Sequence, residues 1–461
     1  MTIRGLFAGT VPSHLQPQYN RTAYGYMRGL IKDFYEQGKS HPQYSQLKFA
    51  WQVDNFAALR HGLVYGVRQK FTTGQERQVR PVTASLVVTP DCNLHCRACP
   101  YQHEGKRELE PRDSSTRVMD RDLAKHILDQ LSRAGVKAVI FTGGGEPFSH
   151  QDTLFEIMLE AKRRHFQIGI FTNGVLARQE LLRSIVTELA PELQFIRVSI
   201  NACDEETYVD FHRAHPNNYQ RAASNVMFLA KLRQQGVFQG SLGLGFLVNG
   251  SNVHSFFQLL DFVEQLIFDQ GQQVGIIDYA ALRPQVEYER NVLCGGRAEQ
   301  QPRDVFESIS YLQTLATRTF YEKLRRLQGF RPLLISERFA GLERPQQTQV
   351  PLCTAHPWRT AIWWDGGVYT CDEHNGEEAF RYGSLQDTNW PGVWYGEGRR
   401  SVIAALNRDY FQAKCPPICV LSFLNLLFYP LLQLNKAQAR QITGAIKQLS
   451  EGINPRDVNF L

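Results

Sequence analysis

Three cysteines lie close together in the segment DCNLHCRACPYQ, which spans residues 91 to 102. Cys92, Cys96 and Cys99 have the spacing C-x3-C-x2-C, and the sequence has no fourth cysteine nearby. A structural zinc site needs four ligands, so His95, His103 or a distant residue would have to complete it. A [4Fe–4S] cluster also takes four ligands, and three cysteines leave one iron open to a small molecule. The spacing alone leaves open a cluster, a zinc site or three unrelated buried thiols.

The segment FTGGGEPF, at residues 141 to 148, offers a second set of chemically useful groups. The adjacent glycines Gly143, Gly144 and Gly145 let a ligand approach the backbone closely. The carboxylate of Glu146 can accept hydrogen bonds from an ammonium group. An ordinary turn is the alternative for such a segment, so its place in the fold decides between the two.

Short apolar runs alternate with amphipathic helical patterns through the middle of the chain. Strands rich in Val, Ile and Phe with helical crossovers indicate parallel β/α units. Six of them predict an α/β fold with a partial (β/α)6 barrel of the TIM type, in which the C-terminal strand ends carry the active site. A Rossmann sheet is the competing fold, but no G-x-G-x-x-G follows the first strand. The predicted strands span residues 84–89, 138–142, 168–172, 195–200, 242–248 and 274–278.

We predict three parts for the 461-residue chain. Residues 1–80 space their apolar positions three or four apart, which indicates a helical N-terminal extension. Residues 81–330 form the barrel and end with a helix near 304–328. Residues 331–461 form a small cysteine-rich domain with C-terminal helices.

Composition and charge exclude several classes of protein. The net charge of +6 is mild and the basic residues are scattered, which argues against nucleic-acid binding. The N-terminus lacks the apolar core of a signal peptide, and the longest apolar run, residues 418–434, is shorter than the ~20 residues that span a bilayer. We therefore expect a cytoplasmic protein without a transmembrane segment. Clustered cysteines in such a chain indicate metal binding or redox chemistry rather than disulfides.

Four further cysteines, Cys353, Cys371, Cys415 and Cys419, lie in the C-terminal third. The segment TAIWWDGGVYTC predicts two strands joined by a DGG turn, which would place Cys353 and Cys371 at adjacent strand ends. Four thiols are a complete ligand set for zinc or for a [4Fe–4S] cluster.

From about residue 84 to residue 290, the sequence resembles the radical S-adenosylmethionine (radical SAM) superfamily. The resemblance implies that Cys92, Cys96 and Cys99 hold a [4Fe–4S] cluster whose open iron binds the amino and carboxylate groups of S-adenosylmethionine. It also implies that the Gly144–Glu146 segment binds the methionine amino group. The other residues that it assigns to this cofactor are Gly143 beside that segment, Ser199 and Asn201 for the methionyl and ribose groups, Arg213 for the carboxylate, and Leu247 and Val248 for adenine.

The cysteine segment departs from the superfamily pattern at one position. The residue before the third cysteine is usually aromatic and packs near adenine, but here it is Ala98. We expect Tyr101 to take over this packing.

The C-terminal cysteines resemble the twitch extension, the short relative of the SPASM domain, which carries auxiliary clusters. Since only four cysteines are present, the resemblance implies a single auxiliary [4Fe–4S] cluster. A zinc ribbon-like site is the alternative. Cys203 and Cys294 are expected to be buried or free thiols.

The resemblance implies an oxidoreductase or lyase that cleaves S-adenosylmethionine reductively and abstracts hydrogen from a substrate through a 5′-deoxyadenosyl radical. Flavodoxin or ferredoxin is the expected electron donor. A sugar, amino sugar or cyclitol is the preferred substrate in a biosynthetic reaction. A peptide-modifying enzyme is one alternative, and a non-catalytic zinc-binding scaffold is another.

The segment DYAALRPQVEYER offers polar groups after the sixth predicted strand. Asp278, Tyr279, Arg283 and Glu287 would lie at the barrel rim, where they could bind a hydroxylated substrate or transfer protons. An ordinary surface loop is the alternative.

Overall fold

A computed structural model describes residues 81–99, 101, 117–284, 318–334 and 350–411, together with the single residues 415, 419, 421, 425 and 437. The predicted N-terminal helices, Glu287 and Cys294 lie outside the described residues. So do most of the helix predicted near 304–328 and most of the apolar run at 418–434.

The described residues contain two sheets. Ten strands form one sheet with the order β12-β11-β10-β1-β2-β3-β4-β5-β8-β9, and β6 and β7 form a separate hairpin. The strands are β1 Thr83–Leu86, β2 Ala138–Phe141, β3 Gln167–Thr172, β4 Leu193–Ser199, β5 Ser241–Val248, β6 Phe268–Asp269, β7 Gln272–Gln273, β8 Tyr279–Pro284, β9 Arg331–Leu334, β10 Arg359–Ile362, β11 Gly367–Tyr369 and β12 Arg381–Ser384.

In the ten-stranded sheet, neighbouring strands are parallel from β10 through β1 to β9, and β11 pairs antiparallel with both β10 and β12. This parallel core confirms the predicted α/β fold with a partial TIM-like barrel. The helices that connect and flank the strands are α1 Arg121–Ala134, α2 Gln151–Arg163, α3 Gln179–Glu188, α4 Glu205–His212, α5 Pro216–Gln234, α6 Leu259–Ile267, α7 Arg318–Arg326, α8 Trp390–Trp394 and α9 Glu397–Ala405.

The side chains of the parallel strands alternate between two buried faces, as expected for a sheet covered by crossover helices. On β4, Ile196 and Val198 belong to the main core beneath the helices. Phe195, Arg197 and Ser199 lie on the opposite face, which we call the inner face because it lines the partial barrel. The sheet therefore provides an apolar core on one side and a site on the other.

Helix ends fix the positions of the strands that follow them. At the start of α1, the side chain of Asp120 accepts hydrogen bonds from the backbone amides of Asp122 and Leu123. The helix ends at Gly135, whose left-handed φ of 78° turns the chain into β2. The residues that α1 buries include Ile127 and Leu131.

Five of the six predicted barrel strands are confirmed as β1 to β5, within a few residues at each end. The sixth is wrong: residues 274–278 form a connection, and the next strand of the barrel is β8, Tyr279–Pro284. The backbone amides of Gly275 and Ile276 donate to Ile267 and Ala230 on the helices, at 3.2 and 3.0 Å, and not to a strand. The backbone of these residues is therefore bound to helices, whereas Asp278, at the end of the run, donates to Leu242 of β5 at 2.8 Å.

The sheet continues across the predicted domain boundary near residue 330. Strand β9 pairs in parallel with β8, and β10 pairs in parallel with β1. The predicted hairpin is confirmed, since β10 and β11 pair antiparallel and Gly366 in the turn has a φ of 80°. The C-terminal cysteine segments are thus attached directly to the first barrel strand.

Within the described residues, no helix has both the length and the apolar character needed to cross a membrane.

Candidate active site

The loops that follow β1 and β2 are joined by backbone hydrogen bonds at the C-terminal rim of the sheet. The amide of Gly145 donates to the carbonyl oxygen of Thr89 at 3.0 Å, and the amide of Glu146 donates to that of Asp91 at 2.7 Å. The cysteine loop begins one residue after Asp91. The two motifs found in the sequence therefore form one site, at the strand ends where β/α barrels carry their chemistry.

Close packing explains why glycines occupy the second loop. A β-carbon at Gly145 would lie 2.0 Å from the carbonyl oxygen of Asp91. One at Gly144 would lie 2.4 Å from the Cη2 atom of Trp363, which follows β10. The loop is thus held between the cysteine segment and a C-terminal tryptophan.

Glu146 is almost fully buried, with 3% of its surface exposed. Its carboxylate accepts hydrogen bonds from the Phe148 amide (3.1 Å), the Thr172 hydroxyl (2.6 Å) and the Asn173 amide (2.6 Å). Burial raises its pKa to about 7, although these three bonds oppose the shift. A carboxylate has about four lone-pair sites, so one stays available for an ammonium group.

The cysteine loop is bound to the end of α4. The amides of His95 and Arg97 donate to the carbonyl oxygens of His212 and Phe211, at 3.2 and 3.0 Å. The Cys96 sulfur lies 2.9 Å from Nδ1 of His212. Because Nε2 of this histidine lies 2.9 Å from the Ile200 carbonyl oxygen, we assign the proton to Nε2. Burial lowers the pKa of His212 to about 4, so the ring is neutral near pH 7.

The three thiols lie within electrostatic reach of one another. The pKa of Cys96 is raised well above its usual value, first by desolvation and then by the neighbouring Cys99 and Cys92. A bound cation reverses this effect, because metal ligation needs the thiolates. The amide nitrogen of the Asn173 side chain lies 3.9 Å from the Cys92 sulfur and donates to Asn93 at 2.8 Å.

The residues assigned to the methionyl and ribose groups lie at the end of β4. Asn201 has a left-handed φ of 58° and accepts a hydrogen bond from the Leu247 amide at 2.7 Å. Its carbonyl oxygen accepts from the side chain of Asn252 at 2.8 Å. Ser199 is half-buried on the inner face. Asn201 therefore ties the ends of β4 and β5 together beside Ser199.

The remaining residues assigned to S-adenosylmethionine differ in exposure. Arg213 is exposed and directly follows α4, the helix that binds the cysteine loop. Leu247 is half-buried on the inner face, whereas the side chain of Val248 is buried in the main core. Only the backbone of Val248 is therefore available to adenine.

Tyr101 connects the cysteine loop to the C-terminal segment. Its hydroxyl donates to the carbonyl oxygen of Asp372 at 2.9 Å, and its ring centroid lies 6.1 Å from that of Trp363. The carboxylate of Asp372 pairs with Arg359 at 2.6 Å. Tyr101 thus lies between the two cysteine sites, because Asp372 is the neighbour of Cys371.

The polar residues predicted after the sixth strand do not form one group. Asp278 precedes β8 and lies at the opposite end of the sheet, where it pairs with Arg233 at 3.2 Å. Tyr279 begins β8 and is 2% exposed, whereas Arg283 lies near the C-terminal end of that strand. The prediction that Asp278 lies at the rim is wrong, because the segment taken for a loop is itself the strand.

Sequence reasoning missed three residues of the site: Thr172, Asn173 and His212. Thr172 and Asn173 end β3 in the segment FTNG, so a polar pair after a third parallel strand was the available signal. His212 had no such signal, because only the fold brings helix α4 beside Cys96.

A model of the radical SAM superfamily matches residues 86–263. Residues 86–263 of this chain form a radical SAM domain. The match begins at the end of β1 and includes the cysteine loop, the glycine loop and the ends of β3 to β5. Members of this superfamily are enzymes, and this chain is a radical SAM enzyme.

Two curated relatives are similar to this radical SAM chain. The tungsten-containing aldehyde ferredoxin oxidoreductase cofactor-modifying protein of Pyrococcus furiosus is 23% identical over 344 residues, which cover 72% of this chain and 85% of that protein. The AdoMet-dependent heme synthase of Methanosarcina barkeri is 28% identical over 144 residues, which cover 31% of this chain and 38% of that protein.

A solved structure has a similar fold. Streptococcus suis SuiB bound to S-adenosylmethionine superposes with a TM-score of 0.51 at 14% identity, covering 75% of this chain and 74% of that one. At this identity, the likeness shows a shared fold.

The second cysteine site of this radical SAM enzyme is a cavity beside β11. Asn425 fixes one wall, since its side-chain oxygen accepts from the amides of Thr354 and Ala355 at 2.7 and 2.9 Å. Among the described residues, no three His, Cys, Asp or Glu side chains converge on a single metal-ion position. The residues that surround the cavity include Cys353, Cys371, Cys415, Cys419, His356 and His374.

His356 indicates that this cavity suits a polar or metallic group. Its side chain is fully buried, and neither ring nitrogen has a hydrogen-bond partner among the described residues. A buried polar atom without a partner is costly. Burial lowers its pKa well below the usual range, so the ring is neutral. Four cysteines and a neutral histidine are residue types that ligate a [4Fe–4S] cluster or zinc.

Proposed function

We propose that this radical SAM enzyme cleaves S-adenosylmethionine reductively and abstracts hydrogen from a polar small molecule of the sugar, amino sugar or cyclitol class. The observation that carries this proposal is the joining of the cysteine loop to the Gly145–Glu146 segment through Thr89 and Asp91. These contacts support a site in which thiol ligands lie beside a carboxylate that can accept a hydrogen bond from an amino group. An S-adenosylmethionine molecule with its amino group on iron needs this combination.

The initiating site would hold a [4Fe–4S] cluster at Cys92, Cys96 and Cys99. When bound and reduced, this cluster and S-adenosylmethionine supply the 5′-deoxyadenosyl radical. Glu146 would accept a hydrogen bond from an N–H of the methionine amino group, and packing against Trp363 and Asp91 holds the glycine loop beside it. His212 lies beside Cys96, with its Nδ1 atom 2.9 Å from the sulfur, and its Nε2–H bond to the Ile200 carbonyl oxygen holds the ring in place. The buried inner face of the sheet keeps water and stray hydrogen donors away from the radical.

The second site would hold one auxiliary [4Fe–4S] cluster at Cys353, Cys371, Cys415 and Cys419, with His356 beside it. The lining of four thiols, three of them buried, supports a closed site in which no iron is left for a substrate. Flavodoxin or ferredoxin is the proposed electron donor for the enzyme.

The names of the curated relatives support a small-molecule substrate. One relative is named as a cofactor-modifying protein and the other as a heme synthase, and both names describe cofactor chemistry. The inner face also carries polar groups, such as Ser199 and Tyr279, that suit a hydroxylated molecule.

Anaerobic reconstitution tests this proposal. The wild-type protein and a Cys92→Ala/Cys96→Ala/Cys99→Ala variant are analysed for iron and sulfide, and then assayed for 5′-deoxyadenosine with dithionite and S-adenosylmethionine. We expect about eight irons in the wild type, about four in the variant, and 5′-deoxyadenosine only from the wild type. Zinc in place of iron, with no 5′-deoxyadenosine from either protein, would support the scaffold alternative instead.

A further inference from the structure

Tyr208 lies on the side of helix α4 that faces the cysteine loop. It precedes His212 by one helical turn, so the two side chains share a face of the helix. Their ring centroids are 4.3 Å apart. Nδ1 of His212 lies 2.9 Å from the Cys96 sulfur, and the His212 carbonyl oxygen accepts from the His95 amide at 3.2 Å. The Tyr208 ring is therefore packed behind the histidine that contacts Cys96.

The hydroxyl of Tyr208 is a buried polar group. The residue is 0% exposed and belongs to the main core, where its ring also packs on Tyr219 with centroids 5.3 Å apart. Among the described residues, the hydroxyl has no hydrogen-bond partner. Burying a hydroxyl without a partner is costly, and a phenylalanine would pack the same ring without that cost. The hydroxyl therefore indicates that an acceptor belongs at this position.

The groups that act on this hydroxyl belong to the rim site, formed by Cys92, Cys96 and Cys99. Desolvation raises the pKa of Tyr208, and negative charge on Cys96, Glu146 and Cys92 raises it further. The hydroxyl thus stays protonated and can donate a hydrogen bond. Since the Glu146 carboxylate already accepts three hydrogen bonds, the cysteine sulfurs are the better acceptors.

His212 does not supply a donor to the Cys96 sulfur. Its Nε2–H is bound to the Ile200 carbonyl oxygen at 2.9 Å, so the ring nitrogen that faces the sulfur carries a lone pair. A cysteine that ligates iron is a thiolate, and a hydrogen-bond donor beside it stabilises its negative charge. The Tyr208 hydroxyl, next to that ring, can fill this role.

We propose that the Tyr208 hydroxyl donates a hydrogen bond to the Cys96 thiolate when this cysteine ligates the rim cluster. The proposal goes beyond the proposed function but rests on it, since it needs the [4Fe–4S] cluster at the rim site. Hydrogen bonds to the sulfurs help to set the reduction potential of such a cluster. Because reduction adds negative charge, the bond stabilises the reduced form more and raises the midpoint potential.

The test is a potentiometric titration of the reconstituted enzyme, followed by electron paramagnetic resonance without S-adenosylmethionine. The wild type is compared with Tyr208→Phe, which keeps the ring and removes only the hydroxyl. The couple that is missing from the Cys92→Ala/Cys96→Ala/Cys99→Ala variant is assigned to the rim cluster. At a fixed potential, we expect Tyr208→Phe to lower the ratio of reduced to oxidised rim cluster about fivefold, which is about 40 mV for a one-electron couple.

Tyr219→Phe is the matched control, since Tyr219 is half-buried and packs on the same ring. Apart from burial, the groups that raise the pKa of its hydroxyl are Cys203, Asp204 and Glu205, which lie outside the rim site. This variant should leave the midpoint potential of the rim cluster unchanged, and neither variant should change that of the auxiliary cluster.

An unchanged rim potential in Tyr208→Phe, or an equal change in Tyr219→Phe, overturns the proposal. Loss of the rim couple from Tyr208→Phe also overturns it, because a hydroxyl that tunes the potential is not needed for loading. A change that appears only after S-adenosylmethionine is added would assign the hydroxyl to that molecule instead. A wild type without a rim couple would overturn the proposed function as well, whereas an unchanged couple with 5′-deoxyadenosine formation would leave the proposed function standing.

Discussion

The two cysteine sites of this chain differ in the number of their thiols and in their exposure. The rim site has three cysteines, of which Cys92 is exposed and the other two are half-buried. The C-terminal site has four, of which Cys353, Cys371 and Cys419 are buried. Three ligands beside an opening leave an iron that a cofactor can reach, and four ligands in a closed cavity do not. On the proposed assignment, the chain keeps radical initiation at the rim apart from a saturated metal site in its C-terminal segment.

The largest expected effect comes from removing ligands at one site only. Cys371→Ala should lower the iron content by about four atoms per chain but leave 5′-deoxyadenosine formation measurable, because the rim site is complete without it. Loss of Cys96 should instead reduce that product on the order of 10³-fold or more. Iron analysis and product quantification check both results. Equal losses of product in the two variants would show that the sites are not separable.

The next effect concerns the contact that connects the two regions. Gly144→Ala should drive a methyl group into the Trp363 ring and cost about 1–3 kcal/mol, seen as weaker S-adenosylmethionine binding and a lower melting temperature. Gly144→Ala combined with Trp363→Ala should recover part of this loss, since the clash is removed. A double variant that is as impaired as the sum of the single variants would contradict the packing explanation.

The dependence of S-adenosylmethionine affinity on pH should come from Glu146. Its raised pKa of about 7 means that the carboxyl binds a proton below that pH and must release it to accept a hydrogen bond from the methionine amino group. Affinity should therefore fall about tenfold per pH unit below pH 7 and level off above it. Glu146→Gln should lose about 1.5–3 kcal/mol at pH 8 and show little dependence on pH. A titration of the dissociation constant from pH 5.5 to 8 measures this.

The smallest expected effect concerns His356 at the closed site. His356→Phe removes an N–H donor beside the thiolates and should lower the auxiliary midpoint potential by about 40 mV, corresponding to about 1 kcal/mol for a one-electron couple. The midpoint potential of the cluster at the rim site should not change. A spectroelectrochemical titration separates the two couples. An unchanged auxiliary potential, or a change at both sites, would exclude a local role for His356.

The features that could be predicted from the sequence are those that depend on local residue patterns and on the order of the strands. Cys92 to Cys99 and the Gly143–Glu146 segment lie after adjacent parallel strands, and the DGG hairpin forms as its turn residues indicate. Strand β8 was misplaced because the backbone of the apolar residues before it bonds to helices, and an apolar run does not show which element its backbone pairs with. The contacts of His212 with Cys96 and of Trp363 with Gly144 join residues far apart in the chain, so no spacing rule could reveal them.

The proposed difference between the two cysteine sites is an open iron at the rim site and a closed C-terminal site. Its most direct test is electron paramagnetic resonance of the reduced enzyme with and without S-adenosylmethionine. The wild type and the Cys92→Ala/Cys96→Ala/Cys99→Ala variant are compared at matched iron content per cluster. We expect S-adenosylmethionine to change the spectrum of the wild type, because it binds the open iron of the rim site. The spectrum of the variant should stay the same. A change in the variant's signal would show that the C-terminal site is open, and would contradict the assignment of the two sites.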